Sequence, residues 1–262
     1  MLTEDRKAQQ VQRRATLVVA GVVALLALVI VGGVVYFVRD GGSGNPSARP
    51  PVITPESPGG GSNSTVPKAA LETLGGDSVS WSDFHGIPMP TSPAGPATVS
   101  GGRASGFAHG PAGAALAAIH IPYRAASSAG PGVFEPTINE QMVGADKEKF
   151  LAGVQAEYSV SRTRYGVGLD GSITADFDRA RRDSSRVWAY RIDAYDPSLA
   201  TVHVLLSTVT VGSATPTYVD LAYTVRWVDG DWRLVAPLNG SWGSISTPVR
   251  EVPNNYVVVG RL

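Results

Sequence analysis

The sequence contains no cysteine, which excludes disulfides, thiol nucleophiles, cysteine-held zinc and iron–sulfur clusters. It also lacks an excess of charge: 22 Lys and Arg balance 22 Asp and Glu. The basic footprint of a nucleic-acid-binding surface is therefore missing, and no direct nucleic-acid contact is expected. Histidine is scarce. His85, His109, His120 and His203 show no close metal-ligand spacing and no H-E-x-x-H pattern. There is no G-x-S-x-G nucleophile elbow either; Asn239-Gly240-Ser241-Trp242-Gly243 only looks similar. No catalytic, cofactor-binding or metal-binding residue is assigned from these patterns, no cofactor is expected, and the chain is read as non-enzymatic.

What the chain does have is one uninterrupted apolar run, Ala15 to Val38, without a charged residue. A bilayer core takes roughly 20 apolar residues as a helix rising about 1.5 Å per residue. Residues 15–38 are accordingly read as a transmembrane helix. Arg6, Lys7, Arg13 and Arg14 precede the run, while only Arg39 follows, next to Asp40. Lys and Arg favour the cytoplasmic side. Residues 1–14 are thus expected to be a cytoplasmic tail, and the chain after Val38 to lie outside the cell inner (plasma) membrane. A cleaved signal peptide is the competing reading, but its apolar core is about 7–15 residues, and Tyr36 to Asp40 makes a poor cleavage site. Gly21 stands far from Gly32 and Gly33, so no G-x-x-x-G packing motif is present. Without charge there is no ion path, and the run reads as a passive single-pass anchor.

Residues 39–68 are dominated by Gly, Ser, Pro and Asn. Such a stretch buries too little to offset the entropy of ordering and is read as a flexible linker, partly stiffened by its prolines. Its Asn63-Ser64-Thr65 is formally a glycosylation sequon, which carries little weight given a composition of bacterial character. Residues 69–262 are long enough to build one domain without disulfides.

Within that domain, residues 69–110 read as an irregular arm. Pro88, Pro90, Pro93 and Pro96 forbid a long helix, and Trp81, Phe84, Ile87 and Met89 are its apolar anchors. The glycine-rich Gly101 to Gly106 lacks the Lys-Ser/Thr of a phosphate loop and reads as a turn. Pro111 opens an alanine-rich helix, which Pro122 should kink or end. A second helix is expected from about Asp146, its cap, to Tyr158, with Phe150, Leu151, Val154 and Tyr158 on one face. From Val187 the period changes to that of strands. Trp188, Tyr190, Ile192 and Ala194 should share a face, and Val219 to Trp227 alternates cleanly. Asp229-Gly230 should form a two-residue hairpin turn that sets Trp227 opposite Trp232, Val225 opposite Leu234 and Tyr223 opposite Ala236. The same register sets Arg226 opposite Arg233, as a solvated pair or as a surface for an acidic partner. Helices followed by a meander argue for an α+β fold, with helices packed on a curved antiparallel sheet over residues 111–240 and a tail over 241–262.

Other polar groups have structural explanations. His120 and His203 are expected to be hydrogen-bonded within a helix and a strand. Asp229 and Asp231 serve the turn. Asp176, Asp178 and Asp183, mixed with Arg179, Arg181, Arg182 and Arg186, read as an internally neutralised segment.

A resemblance adds to this reading. Gly106 to Ala118 followed by Arg124, the preceding Trp81…Gly86-Ile87-Pro88…Ser92…Gly95-Pro96, and Glu135-Pro136-Thr137…Gln141 resemble blocks in actinobacterial single-pass membrane proteins of conjugative and integrative elements. Val225 to Leu234 is similar to the closing hairpin of nuclear-transport-factor-two-like domains, the cone-shaped α+β fold of VirB-eight-type secretion assembly factors. The resemblance implies a structural component of a cell-envelope DNA-transfer or type IV-like secretion apparatus. Such a component would contact other envelope subunits, and a second copy of itself, through its extracytoplasmic domain. Two alternatives share the topology or fold: an Mce-associated-type protein supporting lipid import, and a small-ligand-binding or enzymatic cone-fold domain.

Overall fold

A computed structural model describes residues 79–170, 185–208 and 216–259. The expected anchor (15–38), the linker (39–68) and the charged segment at 176–183 lie outside the described residues. Among the described residues no helix is long and apolar enough to cross a membrane.

The chain begins with two small hairpins, β1 (Ser80–Phe84) with β2 (Ile87–Thr91), and β3 (Thr98–Ser100) with β4 (Arg103–Ser105). Three helices follow: α1 (Pro111–Ala125), α2 (Pro131–Gln141) and α3 (Lys147–Arg164), with the short strand β5 (Met142–Val143) between the last two. Then come β6 (Arg186–Asp196), β7 (Leu199–Thr208), β8 (Thr217–Val228) and β9 (Asp231–Val235), and finally β10 (Ser246–Val249) and β11 (Val257–Val258). The main sheet runs β11-β6-β7-β8-β9-β5, and β10 pairs with β8 beside β9. The fold is α+β, with the helices packed on a sheet that does not close into a barrel. The expected antiparallel sheet is in fact mixed, because β5 lies parallel to β9, Met142 beside Leu234 and Val143 beside Val235.

Alanine explains the placement of α1. It is the best helix former, and its small side chain lets the helix axis approach the sheet closely. Ala114 to Ala118 are fully buried, with Ile119 and Ile121 beside them. Gly113 lets the chain just before the helix fold against it: a Cβ there would stand 1.9 Å from the Ala108 carbonyl oxygen. Pro122 does not end the helix, which runs on to Ala125. The proline costs the helix one backbone bond, the one its N–H would make to the Ala118 carbonyl, and the helix continues because Ala118, Ile119 and Ile121 around it are buried against the core.

Several expectations are corrected. The irregular arm contains the two hairpins, because its prolines sit where short edge strands accept them; Phe84, Ile87 and Met89 are buried as anchors, whereas Trp81 is only half-buried. The glycine-rich Gly101 to Gly106 begins as the β3–β4 turn, with Gly101 and Gly102 at φ 56° and 77°. Helix α2 was not foreseen. It carries Pro136 inside, yet Phe134, Thr137, Ile138 and Gln141 form its buried face at helical spacing. Helix α3 extends past Tyr158 to Arg164, and Asp146 does not cap it; its carboxylate accepts from the Asn239 N–H at 3.2 Å instead. In β6, bulges at Trp188 and Asp193 reset the alternation twice. The inward residues are therefore Val187, Tyr190, Ile192 and Tyr195, facing Leu206, Val204, Val202 and Ala200, rather than an unbroken even-numbered set. The expected tail contains a 3-10 turn (Trp242–Ile245) and both closing strands.

The β8–β9 hairpin follows its expected register. Asp229 and Gly230 both have positive φ, 51° and 82°, as a type I′ turn requires. Trp227 faces Trp232 and Val225 faces Leu234. The third expected pair, Tyr223 with Ala236, falls beyond the ladder, because the Ala236 N–H turns to the Val143 carbonyl.

The close approach at Gly113 yields a paired test. Gly113→Ala should cost about 1–3 kcal/mol or more, since backbone must move. Gly110→Ala, with open space around the added carbon, should cost only the poorer N-cap preference of Ala, about 1 kcal/mol or less. Urea denaturation of both variants measures the difference.

Candidate functional site

Three regions gather polar side chains, and each is built differently. The first is buried. Arg124 and His120, on successive turns of α1, are 1% and 0% exposed. The Arg124 guanidinium lies 4.4 Å from the centre of the Phe84 ring, and its Nη1 is 3.1 Å from His120 Nδ1. His120 Nε2 lies 2.7 Å from the Pro90 carbonyl. A neutral imidazole protonated on Nε2 satisfies both contacts, donating to Pro90 and accepting from Arg124. Burial and the adjacent Arg124 charge hold the His120 pKa down at about 3; burial lowers Arg124 to about 10. The pair is a cross-link between α1 and the β1–β2 hairpin. Because no solvent reaches it, it is ill-suited to proton transfer with a substrate.

The second region lies on the outer face of the sheet, opposite α1. His203 Nδ1 donates to Asp220 Oδ2 at 2.7 Å, and its Nε2 stands 3.7 Å from Asp193. Arg191 pairs with Asp193 at 3.1 Å and lies under the Tyr256 ring. Burial and the Asp220 charge push the Tyr256 hydroxyl up to about 12. The position of Tyr256 follows from topology. β10 lines one edge of β8, while β11 lines the far edge of β6, so residues 250–256 cross the outer face as a strap. Beneath it Leu205 and Ala189 are fully buried although they point away from α1. Both His120 and His203 are thus hydrogen-bonded, and each reaches a neighbouring element, His120 the Pro90 carbonyl on β2 and His203 the Asp220 carboxylate on β8. Among the described residues no group of three or more potential ligands could hold a metal ion.

The third region is a cleft of about 540 Å³ between the β3–β4 hairpin, the end of α2 and the start of β9. Ser100, Arg103, Asn139, Glu140, Gln141 and Arg233 are among its lining residues. Arg103 pairs with Glu140. Arg233 faces Arg226 as expected, and its charge is met by Asp229 at 2.9 Å, while Arg226 is exposed. Asp231 closes one end of the cleft by accepting from the Gly106 and Phe107 N–H groups at 2.8 and 3.0 Å. The hairpin carboxylates therefore serve more than their own turn.

The remaining residues singled out above have local roles. His109 stacks on Trp227, ring centres 4.1 Å apart, and its Nε2 reaches the Pro197 carbonyl. His85 packs on Phe84 at a positive φ of 56°. Ser241 accepts from the Gly243 N–H and caps a 3-10 turn. Sequence reasoning did not connect Arg124 with His120, although their i, i+4 spacing on one helix was a usable signal.

The buried groups set the pH response. Unfolded His120 binds a proton near pH 6.5, and the folded form does so only near 3. Its contribution to stability is complete above that range and is lost as pH falls through it. Glu157, raised to about 7 by burial, acts in the opposite sense, contributing below its unfolded value and losing this as pH rises through 7. Each contributes at most about 1.4 kcal/mol per pH unit. Urea midpoints from pH 3 to 8 should show His120→Gln flattening the acid limb and Glu157→Gln flattening the neutral one.

Searches of the curated proteins and of the solved structures find no significant match to this chain. Residues 44–255, which include all three regions apart from Tyr256, match the family described as a domain of unknown function, DUF8175, and the chain belongs to that family.

Proposed function

We propose that this protein is a membrane-anchored, non-enzymatic structural component of a cell-envelope DNA-transfer or type IV-like secretion apparatus, with its folded domain outside the plasma membrane. The domain works through contacts with other subunits of that apparatus. The observation that carries this reading is the filled space between α1 and the sheet. Ala114 to Ala118, Val202, Val204, Val225 and Trp232 are all at most 1% exposed there, and the polar pair His120–Arg124 is turned on itself and on Pro90. A cone-like fold used as an enzyme or a carrier needs a concave, accessible interior with converging polar groups; a filled one suits a scaffold. The order of elements, helices before an antiparallel meander closed by the Trp227–Trp232 hairpin, further supports a nuclear-transport-factor-two-like arrangement.

The test is genetic. Deleting the gene in its source bacterium should reduce transfer of the element that encodes it to background, and the full chain should restore it. A chain lacking residues 15–38 should not. Unchanged transfer with impaired lipid uptake would overturn this reading in favour of lipid import.

A further inference from the structure

The cleft between the β3–β4 hairpin and β9 has a hydrogen-bonding character that the packing does not use. Its charged groups are already committed: Arg103 to Glu140, Arg233 to Asp229, and Asp231 to the Gly106 and Phe107 amides. The two ion pairs cancel and the Asp231 carboxylate is turned onto backbone amides, so no lining charge is left free for a charged ligand. What is left over is neutral. The hydroxyls of Ser100 and Ser105 and the side-chain amide of Asn139 line the space. At the back, Gln141, only 8% exposed, donates its amide N–H to the Ala104 carbonyl, while its Oε1 is buried and without a partner. A buried acceptor without a donor is costly by about 1–3 kcal/mol, and here it lies in the wall of a cleft of about 540 Å³, a size suited to small ligands.

An added peptide strand fits poorly. β5 covers β9 at Leu234 and Val235. In the hairpin register Arg233 turns its backbone groups to β8. The open edge is thus reduced to Trp232, whose N–H is taken by the Asp231 carboxylate at 2.9 Å. Nor does the cleft provide apolar pockets for peptide side chains. Its one apolar lining residue, Trp232, is fully buried, with its indole N–H on the Ala108 carbonyl.

We infer that this cleft is a binding site for a neutral oligosaccharide. Hydroxyl groups donate to Gln141 Oε1 and accept from Asn139 and Ser100, and a planar side-chain amide suits neighbouring hydroxyls on a ring. The inference goes beyond the transfer role and does not depend on it.

Isothermal titration calorimetry on the full chain, held in a detergent without a sugar headgroup, tests it with chitotetraose and maltotetraose. Saturable binding of either, with a dissociation constant of about 0.1–10 mM, is the expected result. Binding of chitotetraose alone identifies an N-acetylated glycan, and binding of maltotetraose a plain hexose polymer. Ser100→Trp, which fills the cleft from its exposed rim, and Asn139→Ala should each weaken binding at least about ten-fold while leaving the urea midpoint unchanged. Both side chains are exposed and neither makes a hydrogen bond among the described residues, so loss of binding is separable from loss of fold. The inference is overturned if neither sugar gives saturable heat, if Ser100→Trp binds as the unaltered chain does, or if a Gly-Ser hexapeptide binds in place of both sugars.

Discussion

One buried cation without a carboxylate partner constrains the way the domain is put together. Arg124 sits on α1 with almost no solvent contact and no carboxylate beside it among its hydrogen-bond partners. A charge in that position is tolerated only if dipoles and π-electrons replace its hydration. Phe84 supplies the ring, and His120 supplies a ring nitrogen and a carbonyl. His120 can accept only while neutral, and its other nitrogen is fixed on Pro90. The β1–β2 hairpin is therefore more than a decoration at the start of the domain. Removing it would strip Arg124 of its aromatic cover and His120 of its acceptor together. Helix α1, so fastened on one side, presents its alanine face to the sheet on the other.

The opposite side of the sheet is organised by a different rule. There the strap at 250–256 covers Leu205 and Ala189, and Tyr256 reaches the Arg191–Asp193–His203–Asp220 group. The sheet thus has one face filled by a helix and the other partly roofed by the chain's own later residues. The part beyond the strap, around Arg226 and Thr224, is left to solvent or to a partner.

Legibility in the sequence followed the range of the forces involved. The Asp229-Gly230 turn and its register were readable because two adjacent residues and a period of two determine them. The alanine-rich helix was readable because propensity and the N-terminal proline agree. The bulges in β6 were not, since an extra residue at Trp188 leaves the local pattern looking regular until β7 is laid beside it. Helix α2 was obscured by Pro136, although its buried spacing was present. The cation on α1 and the polar cleft were beyond reach for another reason. Their parts come from segments far apart in sequence, Phe84 beside Arg124 and Pro90 beside His120, and Arg103 and Glu140 in one cleft with Arg233, and only the fold makes them neighbours.

The strap also bears on when the domain comes into being. β11 pairs with β6, and the Val259 N–H donates to the Trp188 carbonyl, so the sheet cannot be finished until residue 259 has been synthesised. A chain emerging from its N-terminal side first holds β6, β7 and β8 in an unroofed state, with Leu205 and Ala189 open to water, while it grows from Val228 to Val259. Completion is therefore a late event, and a chain cut short before the strap would leave Leu205 and Ala189 uncovered.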